Sequence, residues 1–202
     1  MKIILRSAAA FAIVQGLVLM APQLLSAPTK GISAEACLAC ADATVCDPRS
    51  CHKVAIELAE SRDYSRAIAI EEKVLAFDPA NPEVHAALAR MLEAGRKDVV
   101  NAIRLYHEAL YLAPGYPPAL LGLGTLMKDR GELQVAEKYF ERGARENPQQ
   151  PLFKVRLAEV LIETGRAERA QPLLEEIVAA WPGTGEADRA KSLMTRTALA
   201  RP

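Results

Sequence analysis

The chain has 202 residues, 50% of them hydrophobic, 25% charged and 5% aromatic, with a formal net charge of zero. That is enough apolar material for one or two packed domains, and the excess of lysine and arginine that marks a nucleic-acid partner is missing. Leu and Ala dominate and alternating β-branched runs of strand length are absent, so the fold class is all-α.

Residues 1–28 begin with Lys2 and Arg6 and run on through Ser7–Ala21 without a charge, which are the charged and apolar regions of an export signal. Two fates are open for this helix, cleavage or retention as a membrane anchor. Ser7–Leu25 is about long enough to span a bilayer with a kink at Pro22. Small residues suited to cleavage stand at Ser26-Ala27, ahead of Pro28, and at Ala34-Glu35-Ala36. Either fate places the rest of the chain outside the cytoplasm, in a periplasm-like space, free or anchored in the inner membrane.

Residues 29–47 read as a short cysteine-rich cap. All four cysteines fall in one window, Cys37, Cys40, Cys46 and Cys51, and an even count on an exported chain predicts disulfides. With Asp47 as N-cap and Pro48 as first helical residue, Cys46 and Cys51 occupy the two positions of a hydrophobic staple. That favours a Cys46–Cys51 bridge, with Cys37–Cys40 in the preceding short helix. The nested pairing, Cys37–Cys51 with Cys40–Cys46, is the alternative. Cys46-x4-Cys51-His52 also resembles a widened c-type haem attachment motif, in which two thiols bond the haem and the His ligates iron. It gives a second functional reading, a haem c electron-transfer subunit docked to a redox complex by the rest of the chain. A four-thiolate zinc site is disfavoured by the five residues between the cysteine pairs, and a Cys37–Cys40 redox dithiol by the lack of a βαβ pattern.

Residues 48–184 repeat. Prolines close successive units at Pro79, Pro114, Pro148 and Pro182, 34 or 35 residues apart, a period that marks a solenoid of helix–turn–helix units. In the third unit Leu120, Leu123, Gly124 and Met127 recur at helical spacing, and Ala136, Phe140 and Gly143 follow after Gly131. Each helix is too short to persist alone, because nucleation is recovered only over ~12–15 residues, so the units must lean on one another. Aligned on the prolines, one small-residue column is Ala55, Ala89, Gly124 and Ala158, and a second is Ala67, Ala102, Ala136 and Ala170. Large apolar columns are Val54, Leu88, Leu123 and Leu157, then Leu58, Leu92, Met127 and Leu161. Over roughly Pro48–Pro182 the chain resembles the tetratricopeptide repeat family. It departs from that pattern where the second-helix aromatic, Tyr106 and Phe140, becomes Glu71 and Leu174. The turn glycine, Gly95, Gly131 and Gly165, is replaced by Ser61-Arg62-Asp63 in the first unit, and the second unit carries an extra residue within Arg96–Asn101.

In that family the first helix of each unit lines a concave groove. The resemblance implies groove residues Arg49, His52 and Ile56, then Ala86 and Arg90 with Glu83 and Glu93 beside them. It adds Leu121, Thr125 and Lys128 with Pro118, and Val155 and Glu159 with Leu152. The stripe Ala86, Leu121, Val155 is apolar and its margins carry mixed charge, which suits an extended or helical segment of a protein partner. The function implied is an exported scaffold or adaptor in an envelope or membrane-associated assembly, with no cofactor outside the haem alternative. His52, His85 and His107 fall on different helices with no nucleophile–base or paired-carboxylate arrangement around them, so no catalysis is expected. Residues 185–202 read as one further helix whose Ala187, Ala190, Leu193, Met194 and Ala198 cover the last apolar edge of the array.

Overall fold

A computed structural model describes residues 32–40 and 47–199. The expected signal or anchor in residues 1–28 lies outside the described residues; among those described, no helix is long and apolar enough to cross a membrane. The described residues form ten α-helices and no strand: α1 Ala34–Ala39, α2 Pro48–Glu60, α3 Tyr64–Phe77, α4 Pro82–Met91, α5 Val99–Leu112, α6 Pro117–Asp129, α7 Leu133–Glu146, α8 Pro151–Glu163, α9 Ala167–Ala180 and α10 Gly185–Leu199. They stack as a solenoid. The pairs α2/α3, α4/α5, α6/α7 and α8/α9 are antiparallel hairpins, and each hairpin packs on the next.

Proline opens the first helix of every hairpin, at Pro48, Pro82, Pro117 and Pro151, where its missing N–H has no intrahelical partner to lose. Asp47 caps α2 by accepting from the N–H groups of Arg49 (3.3 Å) and Ser50 (3.1 Å), and Asp63 and Asp98 cap α3 and α5 in the same way. Both small-residue columns, from Ala55 to Ala158 and from Ala67 to Ala170, are buried throughout. Small side chains there let backbones approach, and the larger Leu105, Leu123, Phe140, Phe153, Leu161 and Leu174 fill the space between helices.

Each hairpin turns through one residue in the left-handed region, Arg62 (φ 65°), Lys97 (φ 57°), Gly131 (φ 77°) and Gly165 (φ 74°). Gly95, expected to be the turn glycine of the second unit, is not that residue. The extra residue of this unit is absorbed inside the helix, as a π-helical turn over Leu92–Arg96. The closing hydrogen bond records it. Asp63, Glu132 and Arg166 donate to carbonyls five residues back, whereas Asp98 donates to Leu92, six back. Gly95 serves instead a close approach, since a Cβ there would lie 2.8 Å from Tyr64 Cγ.

Both ends of the stack are covered. At the far end α10 buries Ala187, Ala190 and Leu193. At the near end α1 lies against α2 and α3 and is bonded to α2 by a Cys37–Cys51 disulfide, Cα–Cα 5.6 Å. The staple-derived pairs Cys46–Cys51 and Cys37–Cys40 therefore do not form. The physical reason is that α1 itself supplies the group facing Cys51, so both sulfurs sit buried in the seam between α1 and α2. Cys40 is also disulfide-bonded, and Cys46 lies outside the described residues. Lys73 completes the attachment by donating to the carbonyls of Leu38 and Cys40, and Arg66 pairs with Glu35 at 3.3 Å.

Candidate functional site

A cavity of about 590 Å³ opens along the face formed by the first helices of the hairpins. Its walls follow from helical spacing. His52 and Ile56 come from adjacent turns of α2, Glu83, Ala86, Ala87 and Arg90 from α4, Pro118, Leu121 and Thr125 from α6, and Leu152 and Arg156 from α8. Of the residues implied by the family pattern, His52, Ile56, Ala86, Arg90, Leu121 and Thr125 are thus brought to one surface.

Four others sit elsewhere. Arg49 is exposed and outside the cavity lining, and Lys128 is turned to Glu163, 2.8 Å away. Val155 and Glu159 line a second, smaller cavity of about 220 Å³ with Arg156, Glu186 and Arg189. Glu159 is only 5% exposed and is held by Arg156 (3.1 Å) and Arg189 (2.9 Å), which ties the terminal helix α10 to α8. The apolar stripe is also narrower than its sequence suggests. Ala86 (4% exposed) and Val155 (2%) are floor, and Leu121 is the stripe residue with side-chain surface left to offer.

The floor contains residues that reasoning about first helices missed. Tyr106 reaches it from α5 and Tyr116 from the loop before α6. A Cβ on Gly122 would lie 2.7 Å from Tyr106 Cε2 and closer still to Cζ, so this glycine is what lets the ring slide beneath α6. A glycine inside an otherwise regular helix was the available signal. The Tyr106 hydroxyl lies 3.5 Å from Glu93 Oε2, at the edge of hydrogen-bond reach, and burial holds the phenol well above its usual pKa. Burial raises Glu93 too, with Asp129 adding repulsion.

The most unusual group lies behind the wall. Glu71 takes the position that Tyr106, Phe140 and Leu174 hold in the other hairpins, and it is 0% exposed. Its Oε1 is 2.7 Å from His52 Nδ1, while Oε2 has no hydrogen-bond partner among the described residues. Burial raises the carboxyl pKa against the opposing effect of His52; the hydrogen bond to Glu71 raises that of His52 against its own burial. His52 Nε2 faces Glu83 Oε1 at 3.6 Å.

These placements do not fit a haem. The Cys51 sulfur is spent in the disulfide and the His52 ring is engaged by Glu71. No group of three or more His, Cys, Asp or Glu side chains placed to hold a metal ion occurs among the described residues.

A family model described as tetratricopeptide repeat matches residues 91–154 and 129–197. Among solved structures, a Pseudomonas aeruginosa PilF structure is 15% identical, with 75% of this chain and 69% of that one covered at a TM-score of 0.65. A thermophilic tetratricopeptide repeat protein of Thermus thermophilus is 18% identical over 93% of this chain and 100% of its own, TM-score 0.65. A MamA fragment from Desulfovibrio magneticus RS-1 is 17% identical over 77% and 78%, TM-score 0.54. At these identities the likeness is one of fold. No curated protein matches the sequence.

Proposed function

Since the chain belongs to the tetratricopeptide repeat family, whose members mediate protein–protein interaction, we propose that it is an exported scaffold that holds a segment of a protein partner in the groove along α2, α4, α6 and α8. The observation that carries this is the cavity itself. It runs continuously over all four hairpins, with Leu121, Ile56 and Leu152 as apolar contacts and Arg90, Glu83, Glu93 and Arg156 as charges on its margins. Apolar sockets supply affinity to an inserted segment, and the charges fix its register. Binding is the whole of the activity; catalysis and cofactors have no part in it.

An extracytoplasmic site, in an envelope or inner-membrane-associated assembly, is supported by two features. One is the charged-then-apolar start of the sequence. The other is the oxidised Cys37–Cys51 pair, because such bonds persist in oxidising compartments.

The test compares two glutamate substitutions. Leu121→Glu places a charge in the groove, and Val100→Glu places one on α5 at a residue already 78% exposed. Partner capture from solubilised membranes is expected to fall with Leu121→Glu alone, with helix content by circular dichroism unchanged in both. Equal capture by the two variants would move the binding site off the groove.

A further inference from the structure

Three hairpins carry an uncharged aromatic or aliphatic side chain at the second-helix position where the first carries Glu71, buried at 0% exposure with one oxygen unpartnered among the described residues. A buried carboxylate is expensive, and an apolar side chain of similar size would commonly be neutral or stabilising in its place. Packing alone therefore does not account for it. What it does in the structure is grip His52, which stands on α2 and forms part of the groove wall. We propose that Glu71 and His52 form a pH-sensitive latch that docks α2 against α3 within the first hairpin, so that the wall carrying His52 and Ile56 is present when the pair holds its proton and opens when the proton leaves.

With one proton shared, the pair is neutral as a unit, and Glu71 Oε1 and His52 Nδ1 satisfy each other at 2.7 Å. Loss of that proton leaves a net negative charge at Glu71 in an apolar slot. The groups facing the pair cannot balance it. From α4 come Glu83, 3.6 Å from His52 Nε2, which adds repulsion, and Arg90, which opposes it from the cavity side. From α1 the one acid, Glu35, is turned away to Arg66. On α2 itself, Lys53 is directed to Glu57 and Arg49 is exposed.

The least costly relief is hydration of Glu71 by movement of α2. That helix buries the fewest residues of the repeat helices, Cys51 and Ala55, and its disulfide ties it to α1, which Lys73 and Arg66 hold on α3. Both members of the pair have pKa values raised above their ordinary 4.5 and 6.5. The His52 contribution is thus complete below its ordinary 6.5 and is lost as pH rises from there through the raised value of folded His52.

Amide hydrogen exchange on the free protein, corrected for intrinsic rate and run from about pH 6 to about pH 9, reads the latch directly. Protection of α2 amides such as that of Ala55 is expected to fall by up to about tenfold per pH unit between the ordinary His value and the raised value of folded His52, and to level off above it, while α6 to α9 stay level. Glu71→Gln should flatten the slope in α2; Glu71→Leu, which copies Leu174, should flatten it too and serves if the amide variant does not fold. Protection in α2 that follows α6 to α9 at every pH, or an unaltered slope in the foldable variant, overturns the proposal. That opening also releases a bound segment rests on the protein-binding function proposed above. The two fail separately, because exchange is measured without a partner, and equal capture by Leu121→Glu and Val100→Glu leaves the latch untouched.

Discussion

Gly124→Ala offers a quantitative test of how the hairpins close. The other three hairpins carry alanine in this column, and alanine gains about 1 kcal/mol over glycine inside a helix, so propensity alone favours the change. Packing opposes it. A Cβ at this position would lie 2.7 Å from Phe140 Cζ and closer still to Cε1, where carbon atoms prefer about 3.5–4 Å. Phe140 is fully buried, so its ring must retreat by about an ångström within a filled core, at roughly 1–3 kcal/mol. The net expectation is a loss of up to about 2 kcal/mol. The fourth hairpin carries Ala158 and the smaller Leu174 at the columns where the third carries Gly124 and Phe140. The double variant Gly124→Ala/Phe140→Leu should therefore be more stable than the sum of its single changes, with a coupling of about 0.5 kcal/mol or more. Urea unfolding followed by circular dichroism at constant m-value gives all four corners of the cycle. Additivity within about 0.3 kcal/mol, or a single Gly124→Ala variant stabilised by the full propensity gain, would refute the compensation.

Two further outcomes follow from the turns and the cap. Gly165 has φ 74° and nothing within 4 Å of a built Cβ, so Gly165→Ala should cost backbone strain alone, about 1 kcal/mol, and Lys97→Gly at the equivalent position should stabilise by a similar or smaller amount in the same unfolding assay. The Cys37–Cys51 bond spans a sequence separation of 14, so the paired change Cys37→Ser/Cys51→Ser should lower unfolding free energy by about 3 kcal/mol; an unchanged midpoint would show that the bond contributes nothing to holding the array.

Much of the stack was legible because its columns are physical requirements repeated at a fixed period. A small residue is demanded wherever two backbones approach, and Ala67, Ala102, Ala136 and Ala170 meet that demand with complete burial. What stayed hidden depended on how neighbours share space. Gly95 looked like a turn glycine from its place in the count, but the inserted residue was taken up as a π turn and Lys97 assumed the left-handed position instead. The staple rule considered only residues adjacent to α2, whereas α1 folded back to put Cys37 opposite Cys51. In the groove, the family resemblance put His52, Ile56, Arg90 and Leu121 on the inner positions of the first helices, and these line one cavity. It could not tell that Val155 and Ala86 would be covered by adjoining helices, or that Gly122 would admit Tyr106 from behind. Glu71 registered only as a break in an aromatic column; its partnership with His52, 19 residues earlier, needed three dimensions.

Photo-crosslinking from defined positions tests groove binding most directly. A benzophenone amino acid at Leu121 samples the centre of the groove, and one at Val100 samples an exposed site on α5 outside the cavity lining. A segment held across the first helices gives covalent adducts with the same partner from position 121 and none from position 100. Adducts that form from position 100 while 121 stays silent would contradict it.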